Sequence, residues 1–111
     1  MASYDKAYEL ASELKASEEY KEYQKVKAEV ASSQEALSIL RDYRRAEIAF
    51  QTALLSGQQP DDRQKEEFET ISSIVNMHGP IKRYIEAERR MLVILADIQR
   101  ILTEAMNLLE L

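Results

Sequence analysis

The chain has one histidine and no cysteine, so the chemistry open to it is narrow. Without cysteine there are no disulfides, thiolate metal sites or cysteine nucleophiles. His78 has no second histidine within helical reach and no glutamate three residues before it, so the Glu-x-x-His pattern of di-iron bundles is missing. Beside Gly79 and Pro80 it reads as a helix-end residue, favourable near the negative end of the dipole. No serine stands in a nucleophile motif, and there is no glycine-rich phosphate loop. The acids Asp61, Asp62, Glu66, Glu67 and Glu69 lack the central glycine and spacing of a calcium loop. Complementarity to a helix N-terminus explains them better. No catalytic, cofactor-binding or metal-binding residue is assigned, and a non-enzymatic protein without a cofactor is expected.

Glu88 is the one carboxylate on an apolar stripe, between Tyr84 and Leu92. A buried carboxylate needs a partner, and Arg41, Arg44 or Arg45 are candidates. Three readings stay open: a structural ion pair, a functional acid, or simple exposure at the stripe edge. The basic residues gather at Arg41 to Arg45, at Lys82-Arg83 and at Arg89-Arg90. Asp42 lies three residues from Arg45, and Glu86 three and four from Arg89 and Arg90, so these groups are expected to neutralise each other along a helix. Tyr4, Tyr8, Tyr20 and Tyr23 suit a recognition surface, since tyrosine is enriched at interfaces.

The elements that position these residues are helices. Glycine and proline number two each, too few for the turns of a sheet protein, and helix formers abound. Ser3 is placed as the cap of a first helix, whose face is Tyr4, Ala7, Tyr8, Ala11 and Leu14. Ser17-Glu18-Glu19 starts a second, with a thin stripe of Tyr20, Tyr23, Val26 (or Lys27) and Val30 that implies partial exposure. Ser32-Ser33 starts a long third helix, about 33–56, with a seam of Ala36, Ile39, Tyr43, Ala46, Phe50 and Ala53, widened by Leu40 and Leu54. Gly57 ends it, and 58–61 form a loop. A fourth helix, 61 to about 77, buries Phe68, Ile71 and Val75 with Ile74 beside them. Pro80 suits the first turn of a last helix, about 80–109. Its stripe runs Ile81, Tyr84, Glu88, Met91, Leu95, Ile98, Leu102, Ala105 and Leu109, broadened by Ile85 and Leu92.

The fold class is therefore all-α: an elongated bundle of about five helices in one domain, 1–111. A helix of thirty residues spans about 45 Å, longer than the roughly 35 Å diameter of a compact domain of this size. The projecting stripes call for a cover, and a second copy of the chain is the expected one, as a homo-dimer or larger. The net charge of −5 argues against general affinity for nucleic acid or anionic lipid. The start, Met1 to Asp5, has neither the basic nor the apolar region of a signal peptide, and the longest apolar run is Met91 to Ala96, far below the roughly 20 residues of a membrane helix. A cytoplasmic location is expected.

Over its whole length the chain resembles the YlbF/YmcA family of small helical bacterial proteins. The similar stretches are 4–11, then Ser17 to Tyr23, then Ala36 to Gln51, then Ile81 to Glu88 followed by Leu95-Ala96-Asp97-Ile98. The resemblance implies a self-associating regulatory protein of Gram-positive-type bacteria, with relatives in competence, sporulation and biofilm control, in a complex connected with RNA processing. Some such complexes hold iron–sulfur clusters on cysteines, which this chain lacks. The leading expectation is a regulatory adaptor that buries a helical stripe against a protein partner. Its candidate surface is Tyr4, Tyr8, Tyr20 and Tyr23 with Arg41, Arg44, Arg45, Glu86, Glu88, Arg89 and Arg90. A purely structural self-assembling bundle and a weak RNA-binding protein are the alternatives.

Overall fold

Five helices in chain order make up the fold: α1 (Ala2–Ala16), α2 (Glu18–Ala31), α3 (Gln34–Leu55), α4 (Asp62–Met77) and α5 (Gly79–Met106). This is a computed structural model, and it describes residues 1–108. There is no strand among the described residues. The chain divides into two compact units. Unit 1 holds α1, the first part of α2 and α5 from Ile85 onward; unit 2 runs from Val26 to Tyr84.

Side-chain caps set the helix boundaries. Ser17 leaves α1 in an extended conformation (φ −71°, ψ 153°). Its Oγ donates to the Leu14 carbonyl at 2.6 Å and accepts the Tyr20 N–H at 3.2 Å, so one serine closes α1 and opens α2. Ser33 caps α3 by accepting the Ala36 N–H at 3.1 Å. At the start of α4, Asp61 Oδ1 accepts the Gln64 N–H at 2.7 Å, and Gln64 Oε1 accepts the Asp61 N–H at 3.0 Å. This reciprocal pair is a capping box. Ser3 does not cap α1: the helix begins two residues earlier, after Met1, without a side-chain cap.

α3 and α4 pack against each other as a hairpin in unit 2. Phe68 of α4 stacks on Phe50 of α3 (centroids 4.9 Å apart, 25° between planes) and lies 6.3 Å from Tyr43. The expected α3 seam is covered along its length, from buried Ala36 to half-buried Ala53. On α4, Phe68, Ile71 and Val75 face inward as expected, whereas Ile74 is exposed, as is Leu54 on α3. Val26 and Val30 of α2 and Ile81 of α5 complete the buried core of this unit. The thin α2 stripe thus ends in two of the best-covered side chains, and Val26, not exposed Lys27, is the inward residue. Arg83 reaches Glu29 at 3.2 Å; both are partly solvated, so the pair contributes about 1 kcal/mol at most.

Two turns carry unusual backbone demands. Gly57 has φ +79°. Its N–H bonds the Leu54 carbonyl at 3.2 Å, and the Gln58 N–H bonds the Ala53 carbonyl at 3.1 Å, the two bonds of a Schellman ending. Between α4 and α5 a single residue does both jobs. The His78 N–H bonds the Val75 carbonyl at 3.1 Å, ending α4, and its Nδ1 accepts the Ile81 N–H at 3.3 Å, starting α5. His78 is thus the helix-end residue that was expected, and it caps the start of the next helix as well. An N–H can only donate, so Nδ1 must present a lone pair there. α5 ends at Met106, where Asn107 turns to φ 51°; Leu109, expected on its stripe, lies outside the described residues.

Gly57→Ala should lower stability by about 1 kcal/mol, because a Cβ disfavours the left-handed conformation, and Gly57→Asn should cost less. His78→Ala should cost about 0.5–1 kcal/mol, while His78→Asn should retain the cap. Urea unfolding midpoints at unchanged slope measure both.

Candidate functional site

Most of the exposed large apolar side chains among the described residues belong to unit 1. α1 has no buried residue at all. Tyr4 and Tyr8 are 64% and 75% exposed, and Leu14 alone is half-buried on that helix. Tyr20 and Tyr23, on α2, are half-buried with their rings 6.3 Å apart. The Tyr20 hydroxyl accepts a bond from Gln24 Nε2 at 2.6 Å. The four tyrosines therefore fall into an open pair on α1 and a covered pair on α2.

α5 holds two apolar rows where the sequence reading drew one stripe. Ala87, Met91, Ile94 and Ile98 form an inner row, from fully to half covered. Leu92, Leu95, Leu102 and Met106 form an outer row, 48–61% exposed. The single expected stripe mixed the two: its Met91 and Ile98 point inward, and its Leu95 and Leu102 point outward. Both rows repeat in steps of three and four, so the spacing fits either one.

The charged candidates lie in both units. In unit 2, Arg41 is exposed, Arg45 meets Asp42 at 4.0 Å and Arg44 meets Glu47 at 4.0 Å. In unit 1, Glu88 is half-buried, and Glu86, Arg89 and Arg90 are exposed. Direct pairing of Glu86 with Arg89 and Arg90 is not observed; there is no ion pair among these three residues. Their side chains extend into water, where hydration competes with a direct contact.

The concave features of unit 2 are open clefts. One of about 480 Å³ lies beside the α3–α4 turn, lined by Thr52, Ser56, Gln58, Gln59, Asp61 and Gln64 among others. Asp61 and Gln64 there are committed to the capping box. Another, of about 350 Å³, includes Asp42, Arg45, Glu67 and Ile71. Neither holds a nucleophile with an adjacent base. Among the described residues no group of three His, Asp or Glu side chains converges on a metal-sized site, and no helix is long and apolar enough to cross a membrane.

Known proteins match this arrangement along nearly all of its length. A UPF0342 protein of Halothermothrix orenii is 41% identical over 102 residues, covering 92% of this chain and 86% of its own. A UPF0342 protein of Symbiobacterium thermophilum is 30% identical, covering 94% of this chain and 93% of its own. Among solved structures, a Protein of Unknown Function (DUF964) from Bacillus stearothermophilus superposes with a TM-score of 0.77. That match covers 96% of this chain and 94% of the other at 15% identity, a likeness of fold. The family model described as Control of competence regulator ComK, YlbF/YmcA, matches residues 3–107. The five-helix chain, with its open α1 and its two-rowed α5, belongs to the YlbF/YmcA family.

Proposed function

We propose that this protein is a non-enzymatic regulatory adaptor of the bacterial cytoplasm that works through helix-mediated contact with other protein chains, including its own. The observation that carries the reading is α1, fifteen residues long with none buried. An isolated helix of that length is marginal in water, so a surface that covers Tyr4 and Tyr8 would stabilise it. The family description, control of a competence regulator, supports a regulatory task executed by binding. Tyrosine supplies large contact area with few rotatable bonds, which suits it to the centre of an interface. The working surface in this reading is Tyr4 and Tyr8, flanked by Tyr20 and Tyr23. The charged residues Arg41, Arg44, Arg45, Glu86, Glu88, Arg89 and Arg90 act as steering or orienting groups.

A photo-crosslinking residue at position 8, introduced in the native host, tests this. A discrete adduct with another protein is expected. That purified partner should bind the Tyr4→Ala/Tyr8→Ala variant at least roughly tenfold more weakly, the loss of one good interface anchor. Adducts with a second copy alone would replace the adaptor reading with a self-assembling structural bundle. Recovery of RNA with steep salt dependence would replace it with nucleic-acid binding.

A further inference from the structure

The outward face of α3 carries a pattern that the α3–α4 hairpin does not use. Leu37, Arg41, Arg44, Ile48, Gln51 and Leu55 lie within about 40° of one line along the helix, at 100° per residue. That line runs opposite the seam that holds Tyr43 and Phe50 against Phe68 of α4. The outward side of a helix packed on one face is usually polar. Here Leu37, Ile48 and Leu55 are 37%, 64% and 88% exposed, although the hairpin gains no packing from them.

The charge on this face is one-sided. The acids of α3 are Glu35, Asp42 and Glu47, and each lies about 80° or more from the line. Arg41 is exposed and makes no ion pair among the described residues. Arg44 stands 4.0 Å from Glu47 at one edge, and Arg45 stands 4.0 Å from Asp42 at the other. The Arg45 pair is well solvated, at 75% and 58% exposure, so it is weak and leaves Arg45 able to turn toward a closer carboxylate. In a chain of net charge −5, this is a local face of positive charge with apolar side chains at its ends and centre.

We infer, as a refinement that rests on the adaptor reading, that the outward face of α3 receives an acidic amphipathic helix of another protein. Leu37 and Leu55 stand eighteen residues apart, about 27 Å along the axis, so the face suits a helix of about five turns. Two carboxylates one turn apart on that helix would meet Arg41 and Arg44, which are themselves three residues apart. A guanidinium takes a carboxylate through two parallel hydrogen bonds, which fixes orientation as well as partner. Apolar side chains of the same helix would cover Leu37, Ile48 and Leu55 and keep water from those pairs. The apolar residues decide between this occupant and other anions. The phosphate backbone of a nucleic acid offers nothing apolar to cover them. An anionic bilayer extends beyond the positive face and is repelled by the net charge of the chain. α3 is already held by α4, so docking there adds a partner to a helix that does not need one to fold.

A photo-crosslinking residue at position 48, introduced in the native host, captures the occupant, and mass spectrometry reads the joined segment. That segment should be an amphipathic helix with carboxylates one turn apart. A synthetic peptide of its sequence should bind the purified full-length protein, and Arg41→Glu should weaken that binding at least roughly tenfold. A lysine in place of one peptide carboxylate should restore binding to Arg41→Glu and reduce binding to the unaltered protein. Arg41 is exposed, so the circular dichroism spectrum should not change with Arg41→Glu. Tyr4→Ala/Tyr8→Ala should leave peptide binding unchanged. A joined segment without carboxylates, an adduct with lipid, RNA or a second copy, or no adduct at all would overturn the inference. Peptide binding that is indifferent to Arg41→Glu, or that is lost with Tyr4→Ala/Tyr8→Ala, would overturn it too. In each of these cases an adduct with another protein at position 8 would leave the adaptor reading standing.

Discussion

Helix α1 has fifteen residues and buries none of them, and that sets the terms for the rest of the molecule. A helix in water is held chiefly by packing of one face, because propensity alone gives marginal stability at this length. The same shortage affects α5 beyond Ile98, where every described residue is exposed although Ile101, Leu102 and Met106 are apolar. Both segments belong to unit 1, in which Ala87 is the fully buried apolar side chain among the described residues. Hydrophobic burial is the dominant favourable contribution to folding. A unit with so little of it is stabilised most effectively from outside, by contact with another chain.

Unit 2 is built differently. Phe68, Phe50 and Tyr43 lock α3 to α4, and Ile81, Val26 and Val30 are almost fully removed from water. The connection between the two helices is fixed at both ends, by the Schellman bonds at Gly57 and the capping box at Asp61. A hairpin with a stacked aromatic centre and satisfied termini has its own sources of order. In our reading, unit 2 is the stable body of the protein and the helices of unit 1 are held by another chain. The clefts of unit 2 fit this division, since Asp61 and Gln64 serve the capping box and Asp42, Arg45 and Glu67 form surface ion pairs.

Much of the fold was legible in the residues. The α3 seam and the inward face of α4 are legible because each helix has one dominant apolar row, and Gly57 because a left-handed helix ending favours glycine. α5 is less legible because it has two apolar rows about a quarter-turn apart, and periodicity averages them into one. Ser3 resembled a cap by type, but the helix simply starts earlier. His78 looked like the end of one helix and is also the beginning of the next, a role visible only once the Ile81 N–H is placed. The candidate surface was less legible. The types of Tyr4, Tyr8, Tyr20 and Tyr23 are the same, and only packing separates the exposed pair from the half-buried one. For Glu86, Arg89 and Arg90, sequence spacing allowed ion pairs that the side-chain conformations do not make.

The central claim is that the apolar helices of unit 1 are held by another chain while unit 2 stands on its own packing. Amide hydrogen exchange at several protein concentrations tests it most directly. Protection along 92–106 of α5 should rise with concentration and that of α1 on addition of its bound partner, while amides of the α3–α4 hairpin should exchange at a constant rate. Strong protection of α1 that persists unchanged at concentrations where the protein is monomeric would contradict the account.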